Sequence, residues 1–356
     1  MYTNARSIVS KRDELIVYAE TETPDLILIT ESWINSKDKH LLAEFSIPGY
    51  KTFEKSRTHK SGGGVLAYVK NNIHVVEINK IDVEYYDSLF VKIVSNKKEI
   101  IFGTVYRPPK SASNHDEILY NEIKNIVGRN PSIICGDFNL PRIDWLTLSG
   151  DADGTRLLEL VGDLFLTQVV QEPTRGNSLL DLVLTSDMDF INSCSVGEPL
   201  ANSDHNLIRL NINTNTSISE NNILVPNYRR ANFNGLRNEI ANTDWSAVLN
   251  ADDVEIACNR FTDKLLSIED KFVPKIKKRA IDPKNASWIT RNLKAAIGNK
   301  RRAYKAFKRS GSDEDYRIYI NLKRSCERSI RKNKRDYEKE IASNVKSNPK
   351  KILSLY

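Results

Sequence analysis

The 356-residue chain carries 53 Lys and Arg against 46 Asp and Glu, a formal net charge of +7, with 40 % hydrophobic and 28 % charged residues. That length suits one large or two ordinary domains with a sizeable core, and the balance excludes a low-complexity coil and a fibrous repeat. No apolar run approaches the roughly 20 residues of a membrane span, and no apolar stretch follows Met1 as a secretion signal would require. Cys135, Cys194, Cys258 and Cys326 form neither a metal spacing nor a disulfide framework, so the expectation is a reduced, intracellular protein with no membrane partner.

In chain order, the stretch from Ser10 to Ala19 is amphipathic and reads as a helix. Pro24-Asp25-Leu26-Ile27-Leu28-Ile29-Thr30 is a continuous apolar run suited to a strand buried on both faces. Further strands are expected over Val65–Val69, Leu89–Val94, Ile100–Tyr106, Ser132–Cys135, Leu180–Leu184 and Leu207–Ile212, with helices over Asn114–Val127 and Gly154–Phe165. Strands interleaved with helices, some strands close enough for hairpins, point to an α/β architecture containing mixed sheets. Beyond residue 215 the pattern changes to helices: Asp252–Ile268, then the basic stretches Ile289–Lys308 and Glu314–Val345. Ile318, Leu322, Cys326 and Ile330 recur every four residues, continued by Tyr337, Ile341 and Val345, while Gly311 and the acidic Asp313-Glu314-Asp315 mark a turn and a helix start. The expectation is a helical hairpin with one narrow apolar seam and basic faces.

Charge divides the chain the same way. Residues 1–212 hold 22 basic and 29 acidic side chains, and residues 213–356 hold 31 and 17. Between them, the Asn-, Thr- and Ser-rich stretch 211–222 reads as a linker or an exposed loop.

Chemistry-bearing residues gather at predicted strand ends. Asp137 and Asn139 of Gly136-Asp137-Phe138-Asn139 follow an apolar strand at the edge where α/β sheets bind ligands, although Asp and Asn also serve as plain turn residues there. Ser203-Asp204-His205 pairs a carboxylate with an imidazole, or caps a turn. Glu31, closing the strand before Trp33, is a hard oxygen ligand of the kind Mg²⁺ prefers, or a solvated acid. Tyr106 and Arg107 end another strand and could face a phosphate or cap the core. Asn250-Ala251-Asp252-Asp253 resembles a polymerase acidic motif but reads as an acidic helix start. Gly62-Gly63-Gly64 lacks the spacing of a phosphate loop and reads as a glycine turn entering a strand.

The local words, in order, resemble the endonuclease/exonuclease/phosphatase superfamily, and within it the apurinic-like endonuclease domain of non-LTR (LINE-type) retrotransposons. They are Asn4-Ala5-Arg6-Ser7-Ile8, Thr30-Glu31-Ser32-Trp33, Gly62-Gly63-Gly64-Val65, Val105-Tyr106-Arg107-Pro108-Pro109 and Gly136-Asp137-Phe138-Asn139. Pro141-Arg142-Ile143-Asp144-Trp145, Pro173-Thr174-Arg175, Leu180-Asp181-Leu182-Val183-Leu184 and Ser203-Asp204-His205 complete the set, which spans residues 1 to about 212. Ser287-Trp288-Ile289-Thr290, the basic stretch 300–310 and Asn348-Pro349-Lys350-Lys351 resemble the connector that leads to a reverse transcriptase in these elements, so the expectation is an element from which the reverse transcriptase is missing.

The resemblance implies a four-layer sandwich of two mixed β-sheets flanked by helices, followed by a basic α-helical extension. It implies domain limits of 1–214 for the endonuclease/exonuclease/phosphatase domain, 215–284 for a linker with a short helical segment and 285–356 for a basic helical connector. Only three residues precede Asn4, around which the family builds a whole strand, so the first strand is expected to be clipped. The implied activity is Mg²⁺-dependent hydrolysis of DNA phosphodiester bonds, with Mn²⁺ as an alternative ion, leaving a 3′-hydroxyl for target-site nicking. Rivals are an abasic-site repair endonuclease, a phosphatase of the same fold, and an inactive element remnant that only binds nucleic acid.

The roles that follow from the resemblance are specific. Glu31 is the principal metal ligand, with Asn4 and Asp204 in or near its shell. Asp137 orients or deprotonates the attacking water and Asn139 fixes its geometry. His205 donates to a phosphoryl oxygen, held charged by Asp181, and Tyr106 contacts the phosphate or leaving group. Arg107, Thr174 and Ser203 are candidates for nucleic-acid or phosphate contact. The partners are DNA and, through the basic tail, element RNA, in a nuclear setting.

Overall fold

The computed structural model describes residues 1–34, 44–55, 62–78, 85–95, 98–128, 130–213, 222–250, 253–279 and 286–344. By contact density the chain forms two compact units, residues 218–282 and the rest.

The larger unit is built on two six-stranded mixed sheets. The first is assembled from β1 (Tyr2–Asn4), β2 (Leu26–Thr30), β3 (Tyr50–Lys55), β4 (Val65–Lys70), β11 (Ile191–Pro199) and β12 (Asn206–Ile212), in the order β11-β12-β1-β2-β4-β3. The second has β5 (Val75–Glu77), β6 (Asp87–Ser95), β7 (Lys98–Tyr106), β8 (Ser132–Asp137), β9 (Thr167–Gln168) and β10 (Asp181–Thr185), in the order β5-β6-β7-β8-β10-β9. β1 runs parallel to β2, and β7 parallel to β8; the remaining pairings are antiparallel.

Strand parity explains why these runs are apolar throughout. Leu26 and Leu28 face the inter-sheet core with Val65, Ala67, Ile133, Cys135 and Val183. Their neighbours Ile27, Ile29, Leu66 and Tyr68 face an outer core, as Ile134, Leu182 and Leu184 do on the other side. A side chain alternating between two dry faces must be apolar at every step, each full burial contributing about 1.5–3 kcal/mol relative to exposure. Helices close both outer faces. α1 (Arg12–Glu22) covers the first sheet, and α2 (Ser113–Val127) with α3 (Ala152–Asp163) covers the second, giving the expected four layers. The three glycines 62–64 turn into β4 with φ of +87°, +75° and +80°; a Cβ on Gly64 would lie 2.5 Å from Ser32 Oγ.

The smaller unit pairs β13 (Asn222–Pro226) with β14 (Lys275–Arg279) and adds α4 (Phe233–Asn242), α5 (Trp245–Leu249) and α6 (Val254–Phe272). Asp253 caps α6 by accepting the Glu255 amide at 2.7 Å, in keeping with the expected acidic helix start; residues 251 and 252 lie outside the described residues.

The basic helical pair, α7 (Arg291–Ser310) and α8 (Asp313–Asn344), belongs to the larger unit. Thr290 caps α7 through the Leu293 amide, Gly311 ends it at φ +63°, and Asp313, Glu314 and Asp315 open α8. The seam differs from expectation by one position at its start: Ile318 is 44 % exposed and Tyr319 is buried instead, followed by Cys326, Ile330 and Ile341. Val345 lies outside the described residues. That seam does not close only on α7. Trp288, Ile289, Leu293, Ile297, Cys326 and Ile330 share one apolar cluster with Leu15, Ile16 and Val17 of α1 and Ile27 and Ile29 of β2. Lys334 meets Asp13 at 2.6 Å, Lys300 meets Glu198 at 3.2 Å, and Arg301 pairs with Glu22. Among the described residues no helix is long and apolar enough to cross a membrane.

Candidate active site

One edge of the sandwich collects the strand ends. The parallel registers Asn4↔Thr30 and Tyr106↔Asp137 and the antiparallel register Asp181↔Asp137 align the C-terminal ends of β1, β2, β7 and β8 with the start of β10. Tyr2, Cys135 and Val183 face the inter-sheet core, so Asn4, Asp137 and Asp181, each two residues away, fall on the same side at its rim.

Asn4 is fully buried and its amide nitrogen donates at 2.8 Å to both Glu31 Oε1 and Asp137 Oδ2. Two carboxylates offer only acceptors, so the NH₂ group must face them; Oδ1 then accepts the Arg6 amide at 3.0 Å. Glu31 also accepts the Trp33 indole N–H at 3.0 Å. Glu31, Trp33 and Asn139 hold φ of +51°, +58° and +51°, an uncommon conformation for side-chain-bearing residues that concentrates at functional sites.

Opposite them, His205 is fully buried, with Nδ1 2.7 Å from Asp181 Oδ2 and Nε2 4.0 Å from Asp137 Oδ2. The buried Nε2 has no hydrogen-bond partner among the described residues. The Tyr2 hydroxyl donates to Asp181 Oδ1 at 2.8 Å. Asp137, Asp181 and His205 bring one ligand atom each within 4.8 Å of one another. Burial, with the neighbouring Asp181 charge, pushes the Asp137 carboxyl up to about 8 despite His205 and the Asn4 hydrogen bond. Burial alone disfavours the His205 imidazolium, but the hydrogen bond and charge of Asp181, with Asp137 and Asp204, outweigh it and raise its pKa.

Other expected site residues have different placements. Asn139 lies beside Asp137: its amide donates to Asp137 Oδ1 at 3.1 Å and its side chain to the Arg107 carbonyl at 2.9 Å. Tyr106 is 8 % exposed and packs in the inter-sheet core. Asp204 stands at the rim between Arg6 (2.8 Å) and Arg175 (2.7 Å). Burial opposes its charge, but Arg175, His205 and Arg6 hold its carboxyl below the usual range.

Arg107, expected to meet nucleic acid, is instead 1 % exposed. It follows Tyr106 and so takes the opposite parity, turning toward α2, where it forks onto both Asp116 oxygens at 2.8 Å and donates to the Phe138 carbonyl at 3.2 Å. Thr174 and Ser203 are buried too. The Thr174 hydroxyl accepts the Leu180 and Asp181 amides at 3.2 and 3.0 Å, and the Ser203 hydroxyl donates to the Asn4 carbonyl at 2.7 Å and accepts the His205 amide at 3.2 Å. All three hold catalytic candidates in place. Tyr2 escaped the sequence reading, although its position two residues before Asn4 on one strand face was a usable signal; Arg6 and Arg175 stood inside the recognised words without a role.

The donor set fits a divalent metal. Glu31 and Asp137 are hard oxygen donors joined by one amide, and burial with the nearby Asp181 charge disfavours the Asp137 carboxylate, an anion that a cation would stabilise.

Residues 100–209 match the family model described as endonuclease-reverse transcriptase. Among solved structures the chain is similar to the endonuclease domain of TRAS1, a telomere-specific non-LTR retrotransposon, at 21 % identity and a TM-score of 0.50, over 59 % of this chain and 95 % of that one. It is similar also to the AP endonuclease LMAP from Leishmania major, at 12 % identity and a TM-score of 0.50, over 59 % of this chain and 85 % of that one. No curated protein matches the sequence. These likenesses bear out the endonuclease/exonuclease/phosphatase fold expected from the sequence words.

Proposed function

We infer that the larger unit, whose residues 100–209 carry the signature of the endonuclease-reverse transcriptase family, is a metal-dependent endonuclease that hydrolyses DNA and leaves a 3′-hydroxyl, as a non-LTR retrotransposon needs to nick its target. The observation that supports this most is the convergence of half-buried Glu31 with buried Asn4, Asp137, Asp181 and His205 at one sheet edge.

Hydrolysis forms a bond from a water oxygen to phosphorus and breaks the bond from phosphorus to O3′. Glu31 would hold the ion, oriented by the Asn4 amide that donates to it; Asp204, already neutralised by Arg6 and Arg175, is a rim residue that steadies those arginines. When bound, Mg²⁺ or Mn²⁺ supplies neutralisation of phosphoryl charge and stabilisation of the departing oxygen. Asp137 orients the water and takes its proton, its own position fixed by Asn4 and the Asn139 amide. The His205 Nε2–H donates to a phosphoryl oxygen, its charge kept by Asp181, which Tyr2 holds in turn.

Supercoiled plasmid incubated with the full chain and Mg²⁺ tests the reading. The expected result is open-circular DNA whose nick is extendable by a polymerase, absent with EDTA and absent for His205→Ala. Equal nicking by both proteins, or none by either, contradicts it, and faster turnover of an abasic duplex or an inositol phosphate would reassign the substrate.

A further inference from the structure

The docked helix α7 brings a second charged surface to the unit. Between it and strands β11 and β12 runs a cleft of about 620 Å³. Its acids are neutralised: Glu22 by Arg301, Glu198 by Lys300 and Arg301 at 3.2 and 3.4 Å, and Glu172 by Lys308 at 3.3 Å. Its cations are in excess. Lys305 and Arg309 are exposed and have no ion-pair partner among the described residues, and the Arg209 guanidinium lies over the Tyr18 ring and donates to its hydroxyl. Lys305 and Arg309 are one helical turn apart, about 6 Å, a spacing at which each can meet its own phosphate.

Helix α7 touches residues that adjoin the catalytic centre in the chain. The Tyr304 hydroxyl donates to Asn206 Oδ1 at 3.3 Å, and Asn206 directly follows His205. Lys308 reaches Glu172, two residues before the Thr174 that anchors Asp181.

We propose that the α7 cleft binds the phosphate backbone of the same duplex that the active site cuts, making residues 291–310 part of the substrate surface. The proposal rests on the nuclease reading above and adds where the flanking DNA is held. The surplus of unpaired cations along α7 suits a phosphodiester chain rather than a protein partner, and the bond from α7 to the residue after His205 favours the cleaved duplex over a separate RNA.

The test is fluorescence anisotropy of a labelled 30-base-pair duplex with the full chain in EDTA, where nothing is cut, across a salt series. Replacing Lys305→Gln and Arg309→Gln together should weaken binding about tenfold and reduce the log–log salt slope by about 2, because each phosphate contact contributes about 0.9. The charge-conserving pair Lys305→Arg and Arg309→Lys should restore the wild-type slope, and kcat/KM for nicking should fall with the affinity. Unchanged affinity and slope in the glutamine pair overturn the proposal, as does a loss confined to single-stranded RNA of the same length. Because binding is read without cleavage, a wild-type chain that binds with the predicted slope but never nicks refutes the catalytic reading alone.

Discussion

Asn4 shows how much a single neutral side chain can organise. One amide nitrogen bridges Glu31 and Asp137, so two acids share a buried edge without facing each other bare. The Asp181–His205 pair stands opposite, and its value is electrostatic. Asp181→Asn keeps the shape but removes the charge, so the His205 pKa should fall and the nicking rate should drop by about 10²–10⁴-fold. NMR titration of the imidazole, beside the rate, checks both. Metal-free stability should also depend on pH with a definite sign. A carboxyl raised to about 8 in the folded state and an imidazole raised above its ordinary value both make the native protein bind more protons than the unfolded chain. The contribution of these two groups to stability in EDTA should therefore be fullest below about pH 4 and be lost as pH rises toward 9, and Asp137→Asn should flatten that slope in urea titrations. Residue identity was legible in the sequence for this constellation because strand-end words carry it. Roles were less so: Arg107, Thr174 and Ser203 sit in the right words, but a word does not state the parity of a side chain or the carbonyl beside it.

At the scale of elements, the apolar runs at 24–30, 65–69, 100–106, 132–135 and 180–184 were legible since the strands they form face two dry layers. The strands that left no such signature are edges or fragments. β11 alternates polar residues, bears register shifts and is only partly buried, β3 is the opposite edge, and β9 is two residues long. α4 and α5 were missed for a related reason: neither buries a residue fully, so neither shows a strong apolar stripe. The hold of α2 on the second sheet depends on Arg107 and Asp116, both buried. Arg107→Ala would strand the Asp116 carboxylate and should cost about 3–5 kcal/mol in urea unfolding. Combining Arg107→Met with Asp116→Leu should cost less, because both charges leave together.

For the whole molecule, the charge division of the sequence concealed a physical union. The basic helices looked like a separate extension, since periodicity reveals that an apolar seam exists but not what it covers. In the structure the seam closes on α1 and the first sheet. Ile297→Ala and Ile330→Ala should each cost about 2–4 kcal/mol and lower the melting of sandwich and helices together, in one transition seen by both calorimetry and helical circular dichroism. Helices that melt separately, with the sandwich unaffected, would show that the docking carries no stability.

The claim that matters most is that Glu31, Asp137 and His205 act as one centre. Single-turnover cleavage of a duplex by Glu31→Gln, Asp137→Asn and His205→Ala, singly and in pairs, measures this directly. Each single change should cost at least about 10²-fold, and each pair little more than its worse member, because residues that work as a unit lose their effect once. Losses that multiply, or a Glu31→Gln protein that cuts at the wild-type rate, would contradict it.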